Sequence, residues 1–149
     1  MKKMIMEKIE KVLIIPDVHG RTFWKDAIKG REDWKIIFLG DYLDPYCYEG
    51  INYEMALDNF KDILDFKRAH PENVTLLIGN HDCTYVYNGG QDICNCRADI
   101  KNWSKIHDIF KENLKLFALA EELEIGKRKY VFSHAPILEK WYDDFGLYK

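Results

Sequence analysis

Three short apolar runs in the first half of the chain predict buried β-strands. They extend from Val12 to Ile15, from Trp34 to Leu39 and from Val74 to Ile78. Runs of this length, rich in valine, leucine and isoleucine, are typical of strands that are covered on both faces. A proline or a glycine follows each run. The pattern therefore predicts three strands buried on both faces, each ending at a turn.

Amphipathic segments between these strands predict helices. Apolar residues recur at steps of three and four from Asn52 to about Ala69, with charged residues between them, which predicts a helix with one face on the core. A shorter helix is predicted from about Thr22 to Lys29. Alternation of strand, helix and strand is typical of right-handed crossovers, so we expect an α/β fold with a largely parallel sheet. The apolar positions of the long helix are Tyr53, Leu57, Phe60 and Leu64.

The second half of the chain predicts one more helix and a hairpin. A polar loop is expected from Asn80 to Cys96, and a long helix follows. Two strands, Leu116 to Ile125 and Lys129 to Phe132, are expected to be joined by a hairpin at Gly126-Lys127-Arg128. The long helix is marked by Ile100, Trp103, Ile106, Phe110 and Leu114.

Composition and organisation indicate one ordinary domain. Apolar residues make up 47% and aromatic residues 14% of the 149 residues, which is enough for a core and excludes global disorder. No repeat or linker divides the sequence, so we expect a single domain over residues 1–149. Residues 1–10 are expected to be a flexible end, and the tail from Ile137 to Lys149 a short helix.

Charge and hydropathy indicate which classes of partner and which cellular compartment to expect. The chain has 22 Lys+Arg and 25 Asp+Glu, a net charge of -3 and a pI of about 6.0, so a nucleic-acid partner is not expected. No apolar run approaches the ~20 residues that span a bilayer. The first residues do not resemble a secretory signal. We therefore expect a cytoplasmic protein without a membrane partner.

Four cysteines are expected to be reduced thiols in that compartment. The spacing of Cys83, Cys94 and Cys96 matches no standard zinc pattern, so a structural zinc site is the less favoured alternative. The fourth cysteine is Cys47.

Polar residues able to bind metals follow each predicted strand, where the backbone leaves the sheet. Ligands of open α/β sheets bind beyond the carboxyl ends of the strands, so four such segments can meet in one cleft. Each segment alone is typical of a turn or a helix cap. Together they offer carboxylate, imidazole and amide groups, which suit Mn, Fe, Zn or Ni. The segments are Asp17-Val18-His19-Gly20, Gly40-Asp41-Tyr42-Leu43-Asp44, Gly79-Asn80-His81-Asp82 and Val131-Phe132-Ser133-His134.

This series resembles the motif series of the calcineurin-like metallophosphoesterases. That superfamily includes serine/threonine protein phosphatases, symmetrical dinucleoside tetraphosphate hydrolases and several nucleases. The likeness extends from about residue 11 to residue 136, and Asn80-His81-Asp82 after a buried strand is its most specific element. It implies an α/β fold with a metallophosphoesterase-like β-sandwich flanked by helices, a mostly parallel first sheet and an incomplete second sheet.

The resemblance also implies a centre of two divalent metal ions, with Mn²⁺ as the first choice and Fe, Zn or Ni as alternatives. Asp17 and His19 would bind one ion, Asn80 and His134 would bind the other, and Asp41 would bridge both. Two such ions roughly 3.5–4 Å apart acidify a shared water to hydroxide and clamp phosphate oxygens.

Other residues take catalytic and structural roles by the same resemblance. His81 would protonate the leaving oxygen or stabilise charge on the phosphoryl group, and Asp44 would orient His81 through a hydrogen bond. Asp82 is interpreted as a structural cap. His70 and His107 are interpreted as structural or solvent-facing.

Two departures from the family pattern bear on activity. Pro45 follows Asp44, where phosphatases of the family commonly carry a phosphate-binding arginine; Arg21 and Arg97 are the candidates to replace it. None of the five histidines follows His134, so the closing Gly-His-x-His segment is absent from this sequence. We expect the C-terminal part of the family domain to be missing. The hairpin would then either pair its exposed edge with a second copy in a homodimer, or belong to a truncated member with impaired metal binding.

The expected function is that of a metal-dependent phosphoesterase acting on a phosphomonoester, either a phosphoprotein or a small phosphorylated metabolite or nucleotide. One alternative is a truncated or vestigial domain that binds metal or a partner with little or no turnover, which the absent histidines favour. A second alternative is a phosphodiesterase or nuclease, which the acidic pI disfavours. The intact pair of Asp44 and His81 favours catalysis.

Overall fold

Strands and helices alternate along the part of the chain that the structure, a computed structural model, describes: residues 11–87 and 97–136. The predictions for residues 1–10, for Cys94 and Cys96, and for the tail from residue 137 lie outside these residues. The elements are β1 (Val12–Ile15), α1 (Phe23–Ala27), β2 (Lys35–Phe38), α2 (Tyr53–Ala69), β3 (Val74–Leu77), α3 (Asn80–Val86), α4 (Trp103–Asn113), β4 (Phe117–Ala118), β5 (Ala120–Ile125) and β6 (Arg128–Ser133).

Two sheets form the centre of the fold. The strands β1, β2, β3 and β4 pair in that order and are all parallel, whereas β5 and β6 form an antiparallel pair. Side chains of β2 alternate between two cores: Ile36 and Phe38 join the core that the helices cover, and Ile37 packs with Leu77 and Leu123 on the opposite face. The parallel sheet thus lies between the helices and the antiparallel pair. This α/β sandwich is the predicted fold class.

The long helix begins and ends where the sequence predicts. The Asn52 side chain accepts a hydrogen bond from the Met55 backbone N–H at 2.8 Å, so it caps α2. Lys67 and Arg68 lie in the last turn, where positive charge suits the helix dipole. Its buried face includes Phe60, which contacts the Phe110 ring of α4 with ring centroids 4.8 Å apart.

Three sequence predictions are corrected. Ile14 of β1 is 45% exposed, because β1 is the terminal strand in the order of its sheet; the prediction of burial on both faces is wrong there. The run from Leu116 to Ile125 is divided between two sheets, β4 and β5, on either side of the exposed Leu119. The helix marked by Ile100 to Leu114 is shorter than predicted, because 3₁₀ turns flank α4 at Ile100–Asn102 and Leu114–Leu116.

The polar loop predicted from Asn80 begins instead as a helix, α3. Gly79 is extended at its N-cap, with φ −92° and ψ 174°, and the Asp82 carboxylate accepts a hydrogen bond from the Gly79 N–H at 2.8 Å. A carboxylate in the first turn also suits the helix dipole. Thr84 and Tyr85 are buried, so packing adds to this local signal. The residues from 88 to 96 lie outside the described part.

The surface features bear on the partner predictions. Tyr130 and Val131 of β6 are exposed, and pairing of this strand with a second copy stays a prediction. Cys47 and Cys83 are free thiols, as expected. In the described ranges, no helix combines the length and the apolar character that crossing a membrane requires.

Candidate metal centre

Hydrogen bonds between the loops after β1 and β2 hold the first two polar segments together. The backbone N–H groups of Val18 and His19 donate to the Asp41 carbonyl oxygen at 3.1 and 2.7 Å. The Gly20 N–H donates to the Tyr42 carbonyl oxygen at 2.9 Å. Residues far apart in sequence therefore meet beyond the carboxyl ends of neighbouring parallel strands, where ligands of such sheets bind.

Two glycines let the loops after β2 and β3 approach each other. A Cβ at Gly40 would lie 2.4 Å from the Gly79 nitrogen, and a Cβ at Gly79 would lie 2.1 Å from Asp41 Oδ1. No real Cβ tolerates either distance, so only glycine fits at both positions. The resulting space admits the Asp41 carboxylate, and the His81 backbone N–H donates to its Oδ1 at 2.9 Å.

Backbone strain is concentrated in the same loops. His19, Asp41 and Asp44 have φ values of 46°, 53° and 61°, and in residues 11–87 and 97–136 they are the only non-glycine residues with positive φ. A left-handed conformation of this kind costs about 1–3 kcal/mol per residue and persists only where surrounding contacts enforce it. All three residues belong to the predicted site, and all three are buried.

Two imidazole rings direct their Nε2 atoms toward one carboxylate oxygen. His19 Nδ1 lies 2.9 Å from the Leu43 carbonyl oxygen, and His134 Nδ1 lies 3.0 Å from the Leu39 carbonyl oxygen. A carbonyl oxygen only accepts, so both Nδ1 atoms carry a proton and each ring is held through that nitrogen. These Nε2 atoms lie 3.7 and 3.8 Å from Oδ2 of Asp41.

Further electron-pair donors complete this cluster. Asn80 Oδ1 lies 2.8 Å from His134 Nε2, and Asp17 belongs with Asp41 and His134 to a group whose ligand atoms lie within 4.8 Å of one another. Separations of about 3–4 Å are those of atoms that ligate one cation through bonds of about 2.0–2.2 Å. Burial lowers the pKa of His19, which keeps this ring neutral and able to bind a cation.

His81 is held differently from the other two rings. Its Nδ1 lies 2.9 Å from Asp44 Oδ2, and this hydrogen bond to a carboxylate raises the pKa of His81. Its Nε2 accepts from Arg97 Nη2 at 3.2 Å, so both ring nitrogens are engaged within the protein. The Arg97 guanidinium lies over the Tyr46 ring, 3.7 Å from its centroid. His81 therefore differs from His19, whose Nε2 lies near the Asp41 carboxylate.

Asp82 lies beneath the cluster as a backbone anchor. It is fully buried and accepts hydrogen bonds from the N–H groups of Gly79, Asp41 and Tyr42 at 2.8, 2.8 and 3.1 Å. Burial raises the pKa of Asp82 to about 7, and the three N–H donors act in the opposite direction. The carboxylate thus joins the loop after β2 to the start of α3, in agreement with the interpretation as a structural cap.

The structure brings most of the predicted site residues together. His19, Asp41 and His81 form one group of close ligand atoms, and Asp17, Asp41 and His134 form another. Asp41 is common to both groups. The grouping also differs from the predicted ligand sets, because Asp17 lies with His134.

The two candidate arginines separate in the structure. Arg97 contacts His81, as described above, whereas Arg21 forms a two-pronged ion pair with Glu49 at 2.8 and 2.9 Å. A phosphate would have to compete with that carboxylate for Arg21. Tyr46 and Tyr85, which sequence reasoning did not include, also contact the site: Tyr46 packs edge-on against His19, and Tyr85 bonds to Asp44.

The structure is that of an α/β protein with side chains able to hold a metal ion at the carboxyl ends of its parallel strands. In each of the two described groups the ligand atoms lie within 4.8 Å of one another, and Asp41 belongs to both. A sequence model of the family described as calcineurin-like phosphoesterase (Metallophos) matches residues 10–148. The chain belongs to the calcineurin-like phosphoesterases, a family of metal-dependent phosphoesterases.

Proposed function

We propose that this protein hydrolyses phosphomonoesters with the help of two divalent cations, Mn²⁺ being the first choice and Fe, Zn or Ni the alternatives. The observation that carries the proposal is the position of Asp41 Oδ2, 3.7 and 3.8 Å from the Nε2 atoms of His19 and His134. A carboxylate oxygen between two imidazole nitrogens suits a bridge between two cations.

The remaining ligands are assigned around that bridge. Asp17 and His19 would hold one cation, and Asn80 and His134 would hold the other. Asp17 is an accessible ligand, with a side chain 52% exposed. It is two residues from His19 in sequence and near His134 in space. When bound, the two cations supply charge neutralisation for phosphate oxygens and lower the pKa of a water molecule that attacks phosphorus.

His81 supplies the proton for the leaving oxygen. Its bond to Asp44 keeps a proton on Nδ1 and raises the pKa of the ring, so the imidazolium form persists to higher pH than in a free histidine. In this structure Nε2 accepts a hydrogen bond from Arg97, so it can pass a proton to the leaving oxygen only in the imidazolium form, after Arg97 has turned to the phosphate of the substrate.

Arg97 is the proposed phosphate-binding residue in place of the arginine that Pro45 displaces. The guanidinium lies 3.2 Å from the proton-donating nitrogen and is supported by the Tyr46 ring. A phosphomonoester dianion that binds two cations still has a non-bridging oxygen that can accept a hydrogen bond from Arg97. This favours monoesters over diesters. The substrate class is therefore a phosphoprotein or a small phosphorylated metabolite or nucleotide.

An assay of the Mn²⁺-loaded protein on p-nitrophenyl phosphate and on bis(p-nitrophenyl) phosphate tests the proposal. We expect faster turnover of the monoester. For an alkyl phosphate, whose leaving oxygen needs a proton, His81→Ala should lower kcat by about 10²–10⁴-fold, the usual contribution of a general acid, and the loss on p-nitrophenyl phosphate should be much smaller. Asp41→Asn should abolish turnover and lower the metal content measured by elemental analysis.

Matched substitutions outside the site guard against indirect effects. His70→Ala removes a histidine at the end of α2, and Asp58→Asn removes an exposed carboxylate from the same helix. Both should leave turnover and metal content unchanged. Turnover that survives His81→Ala and Asp41→Asn alike would contradict the proposal. Bound metal without turnover in the wild type would favour the vestigial alternative, and preferred turnover of the diester would favour the phosphodiesterase.

A further inference from the structure

A buried tyrosine outside the predicted motifs lies directly behind the pair of His81 and Asp44. Tyr85 of α3 is 0% exposed, and its hydroxyl donates a hydrogen bond to Asp44 Oδ1. The other oxygen of the same carboxylate, Oδ2, accepts from His81 Nδ1 at 2.9 Å. One carboxylate therefore has a phenol on one oxygen and the proposed proton donor on the other.

The direction of this hydrogen-bond chain is fixed by the backbone. The Asp99 N–H donates to Tyr85 Oη at 2.8 Å, and a backbone N–H cannot accept. The hydroxyl accepts there, so its own proton is available for Asp44. Burial raises the pKa of Tyr85 far above the physiological range, which keeps the phenol protonated as this chain requires. Bonds that follow one another in this way strengthen each other in a buried setting.

Packing immobilises the tyrosine. The Tyr85 ring lies parallel to the Phe110 ring of α4, with an interplanar angle of 3° and centroids 6.3 Å apart. Asp99, which donates to the hydroxyl, also caps the next turn by accepting from the Asn102 N–H at 3.2 Å. Arg97 lies two residues before Asp99 and contacts the other nitrogen of His81. Both nitrogens of His81 are thereby connected to the segment that holds Tyr85.

We infer that Tyr85 is a positioning residue for His81, acting through Asp44; this rests on the proposed role of His81 as proton donor to the leaving oxygen. The phenol donates to Asp44 Oδ1 and so helps to hold the carboxylate with Oδ2 toward His81. Without the hydroxyl, the carboxylate loses this restraint on its orientation. The orientation of the His81 ring toward the leaving oxygen is then less strictly fixed.

Leaving-group dependence distinguishes this role from a merely structural one. A good leaving group such as p-nitrophenolate departs without a proton, whereas an alkoxide needs one. In Mn²⁺-loaded Tyr85→Phe we expect kcat for an alkyl phosphate to fall on the order of 10-fold and kcat for p-nitrophenyl phosphate to change by no more than about 2-fold, since proton transfer matters only for the former. KM should stay the same for both substrates.

The double variant tests the route through His81. In a His81→Ala background, Tyr85→Phe should have no further effect on either substrate, because residues that act as a unit are not additive. Tyr42→Phe is the matched control, since its buried hydroxyl donates to the Leu77 carbonyl oxygen at 2.8 Å and not to Asp44. It should leave the ratio of the two kcat values unchanged.

Proton NMR tests the inference without turnover. The resonance of the His81 Nδ1 proton is assigned by its loss in His81→Ala. Its chemical shift should change in Tyr85→Phe and stay the same in Tyr42→Phe. If Tyr85→Phe does not fold, the wild-type protein still decides the matter, because a hydroxyl proton held by Asp44 exchanges slowly with water. Rapid exchange of that proton would overturn the inference.

The two proposals fail in different ways. Wild-type turnover that requires His81 but has the same leaving-group dependence in Tyr85→Phe overturns the positioning role and leaves the proposed function intact. Absence of turnover in the wild type overturns the proposed function. In that case an unchanged chemical shift of the His81 Nδ1 proton in Tyr85→Phe also overturns the connection through Asp44. A changed chemical shift supports that connection.

Discussion

Two parts of one site hold histidine rings by opposite means. His19 and His134 donate from Nδ1 to backbone carbonyl oxygens, whereas His81 bonds through Nδ1 to the Asp44 carboxylate. Burial lowers the pKa of His19, and the carboxylate raises the pKa of His81. A neutral partner thus leaves a ring suited to bind a cation, and an anionic partner makes a ring suited to carry a proton.

The largest expected effects separate these two roles. His19→Ala should lower both metal content and turnover, because an imidazole ligand is lost; even the loss of an outer-shell partner typically costs 10–100-fold in affinity. His81→Ala should keep the metal and lower kcat for an alkyl phosphate by about 10²–10⁴-fold. Elemental analysis and kinetics on the same samples measure both. Loss of metal in His81→Ala would remove the distinction between the rings.

Replacing the carboxylate partner of His81 should make the pKa of this ring more like that of the other two histidines. In Asp44→Asn the anion is gone, so the pKa of His81 should fall. A proton donor is active below its pKa, so kcat should begin to decline at a lower pH on the alkaline side than in the wild type. We expect kcat to fall by about 10–100-fold at neutral pH, within the range that a general acid contributes. An unchanged alkaline limb of the pH profile would contradict the role of Asp44.

The approach of the two loops should depend on Gly79 far more than on a glycine elsewhere. Gly79→Ala places a Cβ 2.1 Å from Asp41 Oδ1, so the loops must separate. We expect a loss of about 3 kcal/mol in the free energy of unfolding, as in severe overpacking, together with weaker metal binding. Denaturant titration and metal analysis measure the two effects.

Gly30→Ala is the control for that change. Gly30 has φ +71° and no atom within 4 Å of a Cβ position, so only backbone strain is added. That strain costs about 1–2 kcal/mol, and metal binding should be unaffected. Equal losses in the two variants, with metal retained in both, would mean that the contact between Gly79 and Asp41 does not hold the site together.

The strands and polar segments were predictable because their signals are local. The runs around Ile37 and Leu76 are apolar along their length, and the residues that follow them, such as Asp41 and Asn80, come directly after glycine. Parallel strands then bring these positions to one edge of the sheet. The hydrogen bond between Asp44 and His81 was expected from the family resemblance and is present.

The missed features depend on contacts between distant residues. Tyr85 lies beside Asp44 because α3 begins at Asn80, and the glycine at its N-cap, Gly79, gives a weak helix signal. The chain passes from the parallel sheet to the antiparallel pair between β4 and β5. The sequence pattern does not show where one sheet ends and the other begins. Arg21 and Arg97 were equivalent as candidates because both lie near motifs, and only the fold shows that Glu49 engages one of them.

The smallest expected effect concerns the exposed strand of the second sheet. Val131 of β6 is 44% exposed, and we expect this strand to pair with a second copy at high protein concentration. Val131→Lys adds a charge to the edge and should shift light-scattering masses toward the monomer by weakening that pairing. Ile100→Lys makes the same change at an exposed residue outside the sheets and should have no effect on mass. Neither variant should alter turnover, since both residues lie outside the metal groups. A wild type that stays monomeric at every concentration would rule out pairing through this edge and leave the histidine comparison as it stands.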